Sequence, residues 1–210
     1  MQKLIVFDVD GVLLDTDVGG FKLLAAAIGK AEEMRKQHEE YKKRMHAGPW
    51  GLEQLAEIFK GIKEADLIKH AEKIVEKHLR PEAKEVINKL RSKGYLIVAY
   101  SSNPSWIMNM LKKELQLDDV CGNVVEVKNG IVTGKLSVKM DRYGKEQHIL
   151  QFMQRHKLTK QDVFIIGDSV TDLPMAQHGT FYAFNTSDEA VTSKAKKSIQ
   201  PPLTNLLKLF

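Results

Sequence analysis

Lys3-Leu4-Ile5-Val6-Phe7-Asp8-Val9-Asp10-Gly11 is an apolar, β-branched and aromatic run that ends in two acids and a glycine. It has the length and composition of a buried strand that empties into a loop. In continued strand geometry Asp8 and Asp10 share a face, and a glycine at position 11 lets the backbone come close to a ligand. Two carboxylates placed together repel unless a cation or a shared proton relieves them. The pair therefore points to a hard-metal site or to a general acid beside a nucleophile. Taken alone, it reads equally well as a solvated strand end with an Asx turn.

Support comes from further along the chain. Phe164-Ile165-Ile166-Gly167-Asp168-Ser169-Val170-Thr171-Asp172 is a second apolar strand that ends in glycine and sets two acids around a helix start. Capping accounts for one such acid, since Asp is favoured at helix starts. It does not account for two buried strands that both discharge acids at their carboxyl ends. Four converging carboxylates cost several kcal/mol in repulsion and desolvation unless a divalent cation sits among them. A third strand, Leu96 to Tyr100, ends in Ser101-Ser102-Asn103 before Pro104 and a helix. Hydroxyls and free amides at a helix amino end form an anion site, although the same residues also serve as turn and cap chemistry. Lys145, at the opening of the helix before the Asp168 strand, can bring a compact positive charge to the same rim.

The rest of the chain sets the architecture. Residues 20–46 favour one long helix or two stacked ones, broken at Gly48-Pro49-Trp50-Gly51, and helices follow at about 52–60 and 64–78. Pro81 opens another that runs to Ser92. From Tyr95 onward strands alternate with helices: a helix over 104–115, a hairpin over 120–135 turning at Asn129-Gly130, helices near 145–156 and 172–178, and a strand Phe181–Phe184. This predicts an α/β fold, a Rossmann-like, mainly parallel sheet with helices on both faces. A small all-helical cap, residues 15–80, is inserted after the first strand, and residues 1–14 and 81–210 form the core. Ligands in such sheets bind at the carboxyl ends of the strands.

Composition narrows the classes. With 43% hydrophobic and 28% charged residues the chain is an ordinary globular sequence, and no apolar stretch approaches the roughly 20 residues of a membrane helix. The first apolar run ends at Asp8 and is not a secretory signal. The single cysteine, Cys121, rules out an internal disulfide framework and fits a reducing cytoplasm. The seven histidines lack paired ligand spacing, which argues against a zinc enzyme. The net charge of +5 is spread over many helices, with 13 basic and 12 acidic residues in segment 15–80, so nucleic acid is not an expected partner. Leu203 to Phe210 reads as a helix docked on the core.

In order and spacing, Asp8-Val9-Asp10-Gly11, Ser101, Lys145 and Gly167-Asp168 with Asp172 resemble the four motifs of the haloacid dehalogenase superfamily. Gly94-Tyr95 and Gly130-Ile131-Val132-Thr133-Gly134 are similar to its phosphoserine-phosphatase-like branch. The resemblance implies that Asp8 is the nucleophile that becomes an aspartyl phosphate and that Asp10 is the general acid and base. It implies that Ser101 and Lys145, with Ser102 and Gly11 beside them, hold phosphoryl oxygens. Mg²⁺ is then bound by Asp8, Asp168 and the Asp10 backbone carbonyl, with Asp172 orienting that shell. The implied partner is a small phosphorylated metabolite, with neither membrane nor nucleic acid, in a monomer or homodimer.

The cap departs from that branch. Asp15 to Phe21 holds no glutamate to read a substrate ammonium, and Leu52 to Lys60 holds no arginine to read a carboxylate. Phosphoserine phosphatase proper thus stands as one alternative within the phosphatase reading, while Arg35, Arg44, His46 and Trp50 offer material for a different pocket. A non-enzymatic phospho-aspartate switch is the alternative from another class. It has no need of Asp10 as a proton shuttle. A dehalogenase fits less well, because a departing halide needs no acid. The Asp15–Gly20 loop and the segment near residue 80 are the expected hinges of the cap.

Overall fold

A computed structural model describes residues 2–44 and 51–210. The expected break at 48–51 falls largely outside them, as do His46, Trp50 and the Arg44 side chain. Among the described residues, seven strands form one sheet in the order β4-β3-β2-β1-β5-β6-β7. They are β1 (Lys3–Phe7), β2 (Tyr95–Pro104), β3 (Asp119–Lys128), β4 (Ile131–Val138), β5 (Val163–Gly167), β6 (Thr180–Phe184) and β7 (Lys197–Ile199). All neighbours are parallel except β3 and β4, an antiparallel hairpin. Its turn at Asn129 (φ 52°) and Gly130 (φ 75°) uses two left-handed residues, which matches the twist of the strands it joins.

The chain moves from β1 outward through β2 and β3, then returns to the other side of β1 for β5, β6 and β7. This reversal beside β1 opens the crevice in which sheets of this kind bind ligands. Register lines up the ends: Phe7 pairs with Ala99 on β2 and with Ile166 on β5, and the Asp8 amide donates to the Ile166 carbonyl at 2.8 Å. The residues just past β1 and β5 therefore meet the part of β2 that follows Ala99 at one edge.

Alternation along β1 feeds two cores. Leu4 and Val6 join Ile149, Phe152 and Ile165 on one face, under helix α7 (Arg142–His156). Ile5 and Phe7 join the larger cluster on the other face, with helices α5 (Ala83–Ser92) and α6 (Ser105–Leu115). Helices thus cover both faces. Two short helices, α8 (Leu173–Ala176) and α9 (Glu189–Thr192), complete the second half.

Between β1 and α5 lie α1 (Gly20–Ala27), α2 (Ala31–Arg44), α3 (Leu52–Glu57) and α4 (Glu64–His78). The run over 20–46 is two helices, because Gly29 (φ 76°) ends the first. Phe21, Met34, Phe59 and Leu67 share one hydrophobic cluster with Trp106 and Ile107 of α6. The cluster joins these helices to one face of the sheet. Backbone bonds add to it: Gly61 N donates to Val132 O, Val132 N to Ile62 O and Glu64 N to Gly130 O, each at 2.9 Å. Segment 61–64 therefore covers the outer edge of β4, an edge that would otherwise be open to pairing. The two chain crossings at the base pair with each other, Asp15 N to His78 O at 2.7 Å and Arg80 N to Leu13 O at 3.0 Å.

Some boundaries differ from the sequence expectation. The strand expected over Leu96–Tyr100 begins at Tyr95 and runs on to Pro104, which pairs with Asn123 beyond a register shift. The helix near 172–178 is a 3₁₀ turn over 170–172 followed by α8, since Pro174 starts a new helix at its first turn. The Leu203–Phe210 tail is a 3₁₀ helix, Leu203–Leu209, with Phe210 edge-on to Tyr95, Phe164 and Tyr182. Among the described residues, no helix is long and apolar enough to cross a membrane.

Candidate active site

Asp8 and Asp10 follow β1, Ser101 lies on β2, Asp168 and Asp172 follow β5, and Lys145 stands in the first turn of α7. That helix begins earlier than expected, at Arg142, because the Asp141 carboxylate caps it by accepting from the Tyr143 and Gly144 amides. The start places Lys145 over the strand ends. Its ammonium donates to Asp8 Oδ1 at 2.8 Å and to Asp172 Oδ1 at 2.9 Å, all three side chains buried. Asp172 closes a capping box with Ser169, and its Oδ2 accepts from the Asp168 and Ser169 amides at 3.2 and 3.3 Å. One carboxylate thus holds both the lysine and the loop that carries Asp168.

Two glycines make this closeness possible. Gly11 has φ +75°, and a Cβ on it would stand 2.1 Å from Asp168 Oδ2. A Cβ on Gly167 would stand 2.5 Å from Asp172 Oδ2. The glycines at the ends of both strands are therefore spacers for the acids.

Asp8, Asp168 and Asp172 each present a carboxylate oxygen within 4.8 Å of the others. Three carboxylates share one ammonium, so the cluster holds excess negative charge. Burial, then the Asp172 charge, pushes the Asp8 carboxyl well above its ordinary range, with Lys145 opposing. Burial and the Asp172 charge push Asp168 up to about 7. Burial works to lower the Lys145 ammonium, but Asp172 and Asp8 outweigh it and hold the lysine charged. An all-oxygen donor set in which burial and mutual repulsion push Asp8 and Asp168 upward is chemically suited to a hard divalent cation, which relieves the repulsion directly.

Asp10 is outside this triad. Its Oδ1 accepts from Asn103 Nδ2 at 3.1 Å, and burial pushes its carboxyl up to about 6 while the Asn103 bond pulls it back. The buried Ser101 Oγ accepts from the Asn103 amide at 3.2 Å, which commits a lone pair and keeps the hydroxyl proton for another acceptor. Ser102 is exposed, and its carbonyl accepts from Asn123 Nδ2 at 2.5 Å. The structure thus gathers Asp8, Asp168, Asp172 and Lys145 into one buried cluster, with Asp10 and Ser101 joined through Asn103.

Sequence reading missed two residues here. Asn103 was legible only as part of a turn, although an amide directly after two serines at a strand end was a usable signal. Arg80 is buried at the base of the helical segment, with Nε donating to Val12 O at 2.9 Å and Nη2 to Gly11 O at 3.1 Å. A lone arginine after a helix gave no signal of that role.

Residues 5–177 match the haloacid dehalogenase-like hydrolase family, and the chain belongs to it. A phosphoserine phosphatase of Archaeoglobus fulgidus is 28% identical over 89% of this chain, and phosphoserine phosphatase SerB2 of Mycobacterium tuberculosis is 28% identical over 96%. The chain spans only 54% and 48% of those two relatives. It covers 89% of a phosphoserine phosphatase of Albidiferax ferrireducens at 26% identity. A solved phospho-aspartyl intermediate analogue of phosphoserine phosphatase superposes with a TM-score of 0.82 at 23% identity, over 100% of this chain and 99% of that one. That likeness establishes the shared fold, including the helices between β1 and β2.

Proposed function

We propose that the chain is a divalent-metal-dependent phosphatase that hydrolyses a small phosphomonoester through an aspartyl phosphate on Asp8. The observation that carries the reading is Lys145, whose buried ammonium bridges Asp8 and Asp172 beside Asp168. A nucleophilic carboxylate with fixed positive charge beside it is what phosphoryl transfer needs, since that reaction depends on positioning and charge neutralisation.

In the first step an Asp8 oxygen attacks phosphorus. The Asp8–phosphorus bond forms as the ester bond breaks, and Asp10 gives its proton to the leaving oxygen. In the second, Asp10 takes a proton from water as that water attacks phosphorus and frees Asp8. Lys145 and the Ser101 hydroxyl hold phosphoryl oxygens, with Gly11 and Ser102 at the same rim. Asp8 and Asp168, with the Asp10 carbonyl, would hold Mg²⁺, which supplies further positive charge against those oxygens. Asp172 keeps Lys145 and the Asp168 loop in place. Residues 15–80 act as the cap over this rim, opening about the paired crossings at Asp15 and Arg80.

The relatives' names favour phosphoserine as one substrate to try, within the class of small phosphorylated metabolites. The missing glutamate and arginine of the cap leave other phosphomonoesters equally open. The test is p-nitrophenyl phosphate hydrolysis by wild type and Asp8→Asn, with Mg²⁺ or EDTA, followed by a panel of phosphomonoesters that includes phosphoserine. Loss of turnover on the order of 10⁴-fold in Asp8→Asn, and loss in EDTA, is expected. Turnover that survives both would overturn the reading.

A further inference from the structure

Asn103 has no part in the mechanism above, yet three parts of the site meet on it. The residue is 2% exposed. Its Nδ2 donates to Asp10 Oδ1 at 3.1 Å, and its Oδ1 accepts from the Gly20 amide at 2.7 Å. Its own amide donates to Ser101 Oγ at 3.2 Å. A carboxylate on one side and an N–H on the other fix which way the side-chain amide points.

This orientation has a consequence at the level of atoms. Because Nδ2 can only donate, Oδ1 of Asp10 accepts, which favours Oδ2 as the oxygen that carries a proton. Oδ2 faces residue 19, where a Cβ on Gly19 would lie 3.8 Å away. The bond thus favours one oxygen for the proton and holds the carboxyl in one orientation.

Gly20 begins α1, the first helix of segment 15–80. A Cβ there would stand 2.5 Å from Ile107 Cδ1 and 2.8 Å from Asn103 Oδ1, so any side chain at this position must push Ile107, Asn103 or α1 aside. The amide that holds Asn103 therefore comes from the helical segment, while Asn103 and Asp10 belong to the sheet edge. We infer that Asn103 is a positioning residue that aims the Asp10 carboxyl at the leaving oxygen and is itself held in place by the docked amino end of α1. The inference rests on the reading of Asp10 as the proton carrier. It links closure of the helical segment to proton delivery through one side chain.

Leaving groups separate this role from a structural one. p-Nitrophenolate departs as an anion, whereas an alkoxide needs a proton in the transition state. The Mg²⁺-loaded full chain is assayed for kcat/KM on p-nitrophenyl phosphate and on the alkyl phosphate that the wild type hydrolyses best. Asn103→Leu removes both side-chain bonds, and Asn103→Asp keeps an acceptor for Gly20 while replacing the donor. Both variants are expected to lose about tenfold or more on the alkyl phosphate beyond any loss on p-nitrophenyl phosphate. A ratio of two substrates on one preparation does not depend on the fraction folded, so partial unfolding leaves it readable. Gly20→Ala, which displaces α1 from Asn103, is expected to shift the ratio in the same direction.

Equal losses on both substrates in the Asn103 variants would overturn the inference, and an unchanged ratio in Gly20→Ala would overturn its link to α1. Asp10→Asn separates the two layers. If it spares the alkyl phosphate as much as p-nitrophenyl phosphate, the proton-carrier reading fails. If it is selective while the Asn103 variants are not, only the role of Asn103 falls.

Discussion

Lys145 and Asp172 stand 2.9 Å apart, ammonium to Oδ1, with side chains 3% and 0% exposed. An ion pair this deep contributes little against an apolar substitute, but removing one partner strands the other's charge in low dielectric. Here two carboxylates, Asp8 and Asp172, are stranded together when the lysine goes. Lys145→Met is therefore expected to cost about 3–5 kcal/mol in EDTA, read from urea unfolding. Adding Asp172→Asn to it should return about 1–2 kcal/mol, because one of the stranded charges is removed. Strict additivity of the two substitutions would show that the pair is not coupled.

Asp168 gives a pH dependence with a definite sign. Its carboxyl moves from an ordinary value of 3.8 to about 7 in the folded chain, through burial first and the Asp172 charge second. Between those values the folded state binds more protons than the unfolded one, so this group makes stability fall as pH rises through that window. The penalty is absent below the lower value and complete above the upper. In EDTA, Asp168→Asn should thus gain Tm relative to wild type as pH rises from about 5 to about 8. Saturating Mg²⁺ should raise the Tm of wild type and not that of the variant. A Tm gap that stays constant across this range would contradict the assignment.

Gly11 tests the geometry of the same carboxylate. At φ +75°, with Asp168 Oδ2 only 2.1 Å from where a Cβ would be, an alanine there is strained in its backbone and collides with an acid. The side chain that must give way is one proposed to hold the cation. Gly11→Ala is expected to lower stability by about 1–3 kcal/mol and to weaken Mg²⁺ activation by about tenfold or more. Titrating activity against Mg²⁺ at fixed substrate reads the second effect, and an unshifted midpoint would rule it out.

The parts of the site legible in the sequence were those with local signatures. Strands β1, β2 and β5 are short apolar runs punctuated by acids, serines or glycine, and parallel register brings any such ends together. The Asn129-Gly130 turn was equally local. What escaped reading depends on contacts between distant positions. Asn103 lies 93 residues from Asp10 and 83 from Gly20, and its meaning exists only once both are beside it. The bonds between segment 61–64 and β4 run backbone to backbone and leave no side-chain pattern. β7 is three residues, Lys-Ser-Ile, made a strand by pairing with β6. The start of α7 did have a local signal in Asp141, an acid three residues before Gly144 that caps the helix.

Arg80 bears on whether the loop carrying Asp10 is held from below. Its guanidinium donates to the carbonyls of Val12 and Gly11, lies 2.8 Å from Asp15 Oδ1 and sits 5.4 Å from the Phe184 ring centroid. These contacts are unequal in weight. Asp15 is 68% exposed, so its ion pair is worth at most about 1 kcal/mol, and Asp15→Ala should leave stability nearly unchanged. The carbonyl bonds are buried and need donors spread along a planar fork, which an ammonium cannot reproduce. Arg80→Lys keeps the charge and loses the fork, leaving two loop carbonyls short of donors at about 1–3 kcal/mol. Because those carbonyls belong to the residues directly after Asp10, hydrolysis should fall in Arg80→Lys and not in Asp15→Ala. Equal effects of the two substitutions on Tm and turnover would show that the exposed ion pair, rather than the buried fork, holds the loop.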